Sequence, residues 1–124
     1  RSRKIIDKAT EHGVGVCGIR AVQAGALTHR FDRKMADNHP DMLDYIKANP
    51  FRLLAKEIGE TPSLLAHRYA LTMKGISTVV LGAKNREELQ ECLNAESKGP
   101  LDIPLFDRIN SLINNATMPA DQDL

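Results

Sequence analysis

The stretch Ile76-Ser-Thr-Val-Val-Leu-Gly-Ala-Lys-Asn-Arg-Glu-Glu-Leu-Gln-Glu-Cys-Leu93 constrains the fold of this chain more than any other. A run rich in β-branched residues, Ser77 to Leu81, stops at Gly82, and such a run without polar alternation suits a parallel strand covered on both faces. A polar turn follows. Leu89, Cys92 and Leu93 then fall at i, i+3 and i+4, the spacing of one helix face. Asn85 is suited to cap that helix, and Glu87 and Glu88 complement its positive end. A strand that passes through glycine into a helix leaves backbone N–H groups facing outward, and here Lys84 stands beside them. Such turns bind anions, phosphate above all. A βα turn that binds nothing fits the same pattern equally well, since every α/β protein has several.

The length, 124 residues, is that of one domain, and 42% hydrophobic residues are enough for a core. The apolar runs are far shorter than the roughly 20 residues of a membrane-spanning helix. Seventeen basic and sixteen acidic residues leave a net charge of +1, which gives no electrostatic case for nucleic acid. Nor are the aromatics Phe31, Tyr45, Phe51, Tyr69 and Phe106 interleaved with a basic stripe. The basic opening Arg1-Ser-Arg-Lys4 is followed by no secretory apolar core, so a cytoplasmic location is expected. Cys17 and Cys92 have no metal-ligand spacing and read as two reduced, buried thiols. His12, His29, His39 and His67 likewise lack the spacing of a metal site.

Taken in order, Arg1 to His12 reads as a helix with Ile5, Ile6 and Ala9 on one side and Gly13 closing it. Val14-Gly-Val-Cys-Gly-Ile19 is a second strand candidate whose glycines admit a close neighbour. Arg20 to Asn38 lacks a sustained period and reads as a long loop, a kind that is usually functional or mobile. Pro40 to Ala48 suits a short helix with Met42, Leu43 and Ile46 inward. Asn49 then caps a helix with Pro50 in its first turn and Phe51, Leu54, Ala55 and Ile58 as its stripe, ended by Gly59. Thr61-Pro62 opens another, carrying Leu65, Ala66, Tyr69, Ala70 and Met73. Pro104 to Asn114 gives a last amphipathic helix through Leu105, Ile109, Leu112 and Ile113, and residues 115–124 read as a frayed tail. Only two strands emerge, both of parallel type, and two parallel strands alone make an unstable sheet. The expectation is part of a larger α/β fold.

These pieces in order resemble the C-terminal part of an aldo-keto reductase, a (β/α)8 barrel using NADPH or NADH. Gly13-Val-Gly-Val-Cys-Gly-Ile-Arg-Ala-Val-Gln-Ala-Gly-Ala-Leu-Thr28 resembles the seventh strand and the loop over the cofactor. Thr61-Pro-Ser-Leu-Leu-Ala-His-Arg-Tyr-Ala-Leu71 resembles the helix before the eighth strand, and Gly75 to Leu89 the eighth strand with its Gly-Ala-(Lys/Arg)-Asn turn. Lys98-Gly-Pro-Leu101 fits the usual ending. The resemblance covers nearly the whole chain and is weakest over residues 29–48, a variable loop. It implies an α/β fold: a partial (β/α)8 TIM barrel comprising the last two parallel strands, their helices and a C-terminal helix, with residues 1–124 forming one incomplete domain. Its missing partner would be the N-terminal part of the same barrel.

The resemblance also implies a site. Gly82, Ala83 and Lys84 would offer N–H groups and a cation to a cofactor phosphate. Glu88, Glu91 and Cys92 would face the adenosine. Ile19 and Arg20 would stand at the nicotinamide, and Ala21, Val22, Gly25 and Leu27 would line the pyrophosphate loop. Position 19 is Ile where the family stacks an aromatic ring, although some branches carry an Ile-Arg step like this one. Glu88 replaces the common Arg or Gln; it would repel a 2′-phosphate and accept hydrogen bonds from a ribose hydroxyl, which points to NADH, while Lys84 argues for NADPH. Cys92 replaces the common Asn. The family's Tyr, Lys, Asp and His, which protonate the carbonyl oxygen as hydride arrives, come from the first half of the barrel and correspond to no residue here.

Tyr69 lies on an apolar stripe and reads as core, and Tyr45 as helix packing or loop cover. Arg20 suits a substrate or pyrophosphate contact and a surface arginine bonded to its own loop equally. Cys92 reads as core before it reads as reactive. The charges of residues 29–44 read as a solvated loop, one that barrels often use as a lid. Three functions follow from the resemblance. The first is the cofactor-binding part of an oxidoreductase that moves hydride between NAD(P)H and a carbonyl or alcohol, inactive as this piece alone. The second is a non-catalytic nucleotide-binding or regulatory subunit on the same fold. The third is a barrel segment serving another phosphorylated ligand.

Overall fold

The computed structural model describes residues 2–116, with side chains over residues 3–112. Six helices and two short strands follow one another in it: α1 (Ser2–Glu11), β1 (Cys17–Gly18), a 3-10 turn (Gln23–Gly25), α2 (Pro40–Lys47), α3 (Asn49–Ile58), α4 (Pro62–Thr72), β2 (Thr78–Val79), α5 (Arg86–Lys98) and α6 (Ile103–Ala116). The two strands pair in parallel, Cys17 opposite Thr78 and Gly18 opposite Val79. A parallel pair needs a crossover, and α2, α3 and α4 supply it.

The core is helical. Phe51, Leu54 and Ala55 of α3 meet Leu65 and Ala66 of α4, and Leu101 and Ile109 close the cluster from the α6 side. Each helix starts where its sequence permits. Thr61 accepts a hydrogen bond from the Leu64 N–H at 3.3 Å, and the proline after it fills a position whose N–H would have no helical partner. Gly59 ends α3 in the left-handed conformation, φ +74. α3 differs from expectation at its start: Ala48 holds the cap position without a side-chain hydrogen bond, because Ala48 alone separates α2 from α3 and Asn49 is already inside the helix.

Three apolar stripes face differently from their reading in the sequence. In α2, Leu43 and Ile46 are exposed, while Tyr45 turns toward the loop and packs on Phe31 with centroids 5.4 Å apart. In α5, Leu89 and Leu93 are exposed; the helix lies against α4 through Cys92 and the buried Ala95. In α1, Ile6 is buried and Ile5 is exposed. The strands are not covered on both faces either: Val14, Val80 and Leu81 are exposed, and Cys17 is an exposed thiol, because each strand has a single neighbour among the described residues. The side chain of Ile113 and those of the whole 115–124 tail lie outside the described ones.

Gly75 joins α1 to the loop before β2. Its φ is +88, and a Cβ there would collide with Ile6 and come within 3.1 Å of an Arg3 guanidinium nitrogen and 3.2 Å of Thr10 Oγ1. The close approach of α1 therefore requires a residue without a side chain.

Candidate functional site

Because β1 and β2 are parallel neighbours, the chain leaves both at the same end of the sheet. The segment from Ile19 to Leu27 and the turn from Val80 to Asn85 emerge there side by side. Ile19 is 70% exposed, an apolar side chain presented to solvent at the strand end.

The turn after β2 is built by reciprocal capping. Asn85 Oδ1 accepts from the Glu88 N–H at 2.9 Å, and Glu88 Oε2 accepts from the Lys84 N–H at 2.7 Å. Asn85 thus caps α5 as its sequence suggested. One of the three expected phosphate donors, the Lys84 N–H, is consequently engaged by Glu88. The Gly82 and Ala83 N–H groups donate to nothing among the described residues. Space beside Gly82 is open, with nothing within 4 Å of where a Cβ would stand. Two N–H groups without a described acceptor, a bare glycine and an ammonium beside a helix N-terminus fit a phosphoryl group.

Lys84 Nζ is bonded to Asp32 Oδ2, which draws the long loop across to the turn. The bond and the attraction between the charges lower the Asp32 pKa and raise that of Lys84. Asp32 was invisible as a site residue in the sequence, where it was one charge among many in a segment without periodicity. The loop leading to it is strained: Arg20, Gln23 and Ala24 all have positive φ, 59, 50 and 53. Non-glycine residues adopt this region at a cost and often near functional sites. Val22 and Leu27 anchor the loop by packing on the helical core, and Gly25, φ +97, lies against the Phe31 ring. The Arg20 side chain is exposed.

Behind this loop is a cavity of about 490 Å³. Ile19, Arg20, Ala21 and Leu27 line one side, and Phe51, Tyr69 and Met73 line others. Four of the residues expected at the nicotinamide and pyrophosphate are therefore brought to one hollow, while Gly82, Ala83 and Lys84 stand outside its lining.

The remaining expected contacts on α5 divide. Glu88 serves the turn. Glu91 is bonded to Ser63 Oγ of α4, and Cys92 Sγ lies 3.6 Å from His67 Nε2. Both are thereby occupied with holding α5 to α4. Burial lowers the His67 pKa, against an opposing pull from Glu91, and burial raises that of the Cys92 thiol. His67 Nδ1 is buried with no hydrogen-bond partner among the described residues. Tyr69 stacks on Phe106 at 5.1 Å and donates its hydroxyl to Asn110 Oδ1 at 2.6 Å, a structural role in which burial raises its pKa. Tyr45 covers the loop and donates to His29 O at 3.3 Å. Among the described residues no three His, Cys, Asp or Glu side chains are grouped to hold a metal ion, and no helix is long and apolar enough to cross a membrane.

The family model described as Aldo/keto reductase family matches residues 1–114. The chain belongs to the aldo/keto reductase family. No match was found among curated proteins. Family membership supports an oxidoreductase-type function and implies a (β/α)8 barrel, with which a mostly helical chain carrying a parallel strand pair is consistent. In such barrels ligands bind at the C-terminal ends of the strands, which is where the first loop and the Gly82 turn meet.

Proposed function

We propose that this chain is the cofactor-binding portion of an NAD(P)-dependent aldo/keto reductase, comprising its last two strands and their helices. The observation that carries the reading is the meeting of two loops at one end of the parallel pair, tied by Asp32 and Lys84 across open N–H groups at Gly82 and Ala83. In it, Gly82, Ala83 and Lys84 hold a phosphoryl group of the dinucleotide. Glu88 orders the Lys84 backbone and sets the charge near the adenosine. Ile19 gives apolar contact to the nicotinamide, Ala21, Val22, Gly25 and Leu27 shape the pyrophosphate loop, and Arg20 stands at its rim. Glu91 and Cys92 act through the α4–α5 contact. The nicotinamide, when bound, donates or accepts hydride at a carbonyl or alcohol carbon; the residues here bind and orient it.

The exposed strand edges and the apolar surface of Val14, Val80, Leu89 and Leu93 support completion of the sheet by further strands of the barrel. The acid that protonates the carbonyl oxygen belongs, in this reading, to those other strands. Neither tyrosine with a described hydroxyl contact has a lysine or histidine side chain bonded to it.

Titration of the protein with NAD(H), NADP(H) and a sugar phosphate, followed by nicotinamide fluorescence or calorimetry, tests the reading. Saturable dinucleotide binding that Gly82→Glu abolishes is expected, since the new side chain puts a negative charge where the phosphoryl would sit. Binding of the sugar phosphate alone would replace the dinucleotide with another phosphorylated ligand. Binding without carbonyl reduction once the barrel is complete would favour the regulatory subunit.

A further inference from the structure

The hollow behind the first loop has an apolar interior. Phe51, Ala66 and Ile109 form its buried floor. Tyr69 and Ala70 of α4, with Met73 just after that helix, make one wall, and Ile19, Ala21 and Leu27 make another. These walls are held in place by the protein itself. Tyr69 is fixed by stacking on Phe106 and by donating its hydroxyl proton to Asn110 Oδ1, so its wall presents ring and aliphatic surface. Arg52 donates to Ala26 O at 2.8 Å, which pins the loop wall to α3. A volume of about 490 Å³, apolar inside with a few polar groups at its edge, is that of a small-molecule site.

The mouth is polar. Arg20, Gln23, Asp44 and Lys47 line the hollow and are exposed. Two cations thus accompany one carboxylate, and none of the three charged side chains is in an ion pair among the described residues. Lys47 stands three positions after Asp44 on α2 without bonding to it. The mouth therefore carries an excess of positive charge in a chain whose net charge is only +1. Arg20 and Gln23 reach it from left-handed backbone, φ 59 and 50, a strain found mostly where a side chain has a task.

We propose that this hollow is a second ligand site, distinct from the Gly82 turn, for an amphipathic monocarboxylate. Its apolar body lies on Phe51, Ala70 and Met73, and its carboxylate meets Arg20 and Lys47 at the mouth. A phosphorylated ligand matches less well, because Gly82, Ala83 and Lys84 stand outside the lining. A cationic amphiphile finds Asp44 alone against two like charges. A neutral one gains the floor and leaves both cations unpaired. The site does not depend on a dinucleotide at the Gly82 turn, although the two would share the loop wall.

Calorimetric titration of the protein with octanoate, octylamine and octanol at neutral pH, below their micellar range, tests this. Octanoate is expected to bind saturably, and the other two about tenfold more weakly or less. Ala70→Leu puts a larger side chain into the hollow and should abolish binding. Circular dichroism confirms that this variant is folded, and Met73→Phe replaces it should it unfold. Lys47→Glu should weaken octanoate about tenfold, since it turns an attraction at the mouth into a repulsion. Lys74→Glu makes the same charge change outside the lining and should have no effect. Saturating NADH or NADPH should leave octanoate affinity within about twofold. Absence of saturable octanoate binding overturns the site, as does undiminished binding by folded Ala70→Leu. Octylamine binding as tightly as octanoate, or an unaltered affinity in Lys47→Glu, overturns the carboxylate. Loss of octanoate binding in the presence of either dinucleotide makes the hollow the cofactor's own and overturns a second ligand. A protein that binds neither dinucleotide defeats the functional reading above, and the octanoate titrations still decide the hollow.

Discussion

Leu65 and Val80 are both aliphatic residues in apolar stretches of this chain, and they meet different fates. Leu65 is fully buried between α3, α4 and α6, whereas Val80, one residue beyond the β2 ladder, is 58% exposed. The same contrast separates whole regions. On the helical side, the stripes of α3 and α4 find each other and α6 closes over them. On the sheet side, Val14, Ile19, Leu81, Leu89 and Leu93 are all exposed. A helix buries its stripe against any other amphipathic helix, so three of them suffice for a core. A parallel strand exposes two faces and an edge, and a single partner covers too little of them. The candidate site lies on the unfinished side, which is why its contacts are loops tied by a charge pair and by the packing of Phe31 on Tyr45.

The largest effect expected from this contrast is the difference between truncating its two emblematic residues. Leu65→Ala should cost about 2–5 kcal/mol of unfolding free energy, from lost burial plus a cavity, and Val80→Ala no more than about 0.5 kcal/mol. Denaturant unfolding of the two variants measures this. Equal costs would show that the sheet face is covered in solution and would erase the comparison.

A smaller loss is expected where the two sides are joined. Gly75→Ala places a Cβ against Ile6 at positive φ, and should cost roughly 1–3 kcal/mol through strain and displacement of α1. A melting temperature within a degree or two of wild type would mean that α1 is not docked as described.

The smallest effect is pH-dependent and belongs to the contact that carries α5. Burial lowers the His67 pKa from 6.5, so the folded chain holds a neutral imidazole while the unfolded chain takes up a proton near 6.5. Stability should therefore be constant above about that pH and fall as the solution is acidified below it. His67→Phe should flatten this part of the profile. Asp32, lowered from 3.8 by Lys84, enters only in more acid solution, its contribution being lost as pH falls below that value. A profile between pH 7 and 5 that is identical in wild type and variant would remove His67 as the cause.

Much of the framework was legible in advance because its determinants are local. Thr61-Pro62, Gly59 and Asn85 set helix ends through φ values and hydrogen bonds within four residues, and each behaves as its sequence suggested. The two strand candidates, Val14 to Ile19 and Ser77 to Leu81, each contain a strand of the parallel pair, but only Cys17–Gly18 and Thr78–Val79 form the ladder, and the family resemblance agreed with the match over residues 1–114. Asn49 misled because capping depends on where the previous helix stops. Leu43, Ile46, Leu89 and Leu93 misled because a stripe marks which residues are apolar, and packing partners decide which of them are covered.

The site was legible in outline only. The glycine turn and the loop from Ile19 to Leu27 were evident, and so was the cap that orders one of them. That Asp32 pairs with the ammonium and that Phe31 packs on Tyr45 depend on contacts between residues as many as 52 positions apart. Local chemistry along the chain determined where it turns, starts a helix or extends, since those choices are made over a few dihedral angles. Which charges neutralise each other and which apolar faces are covered was decided only when distant segments met, because both are properties of pairs that no single stretch contains.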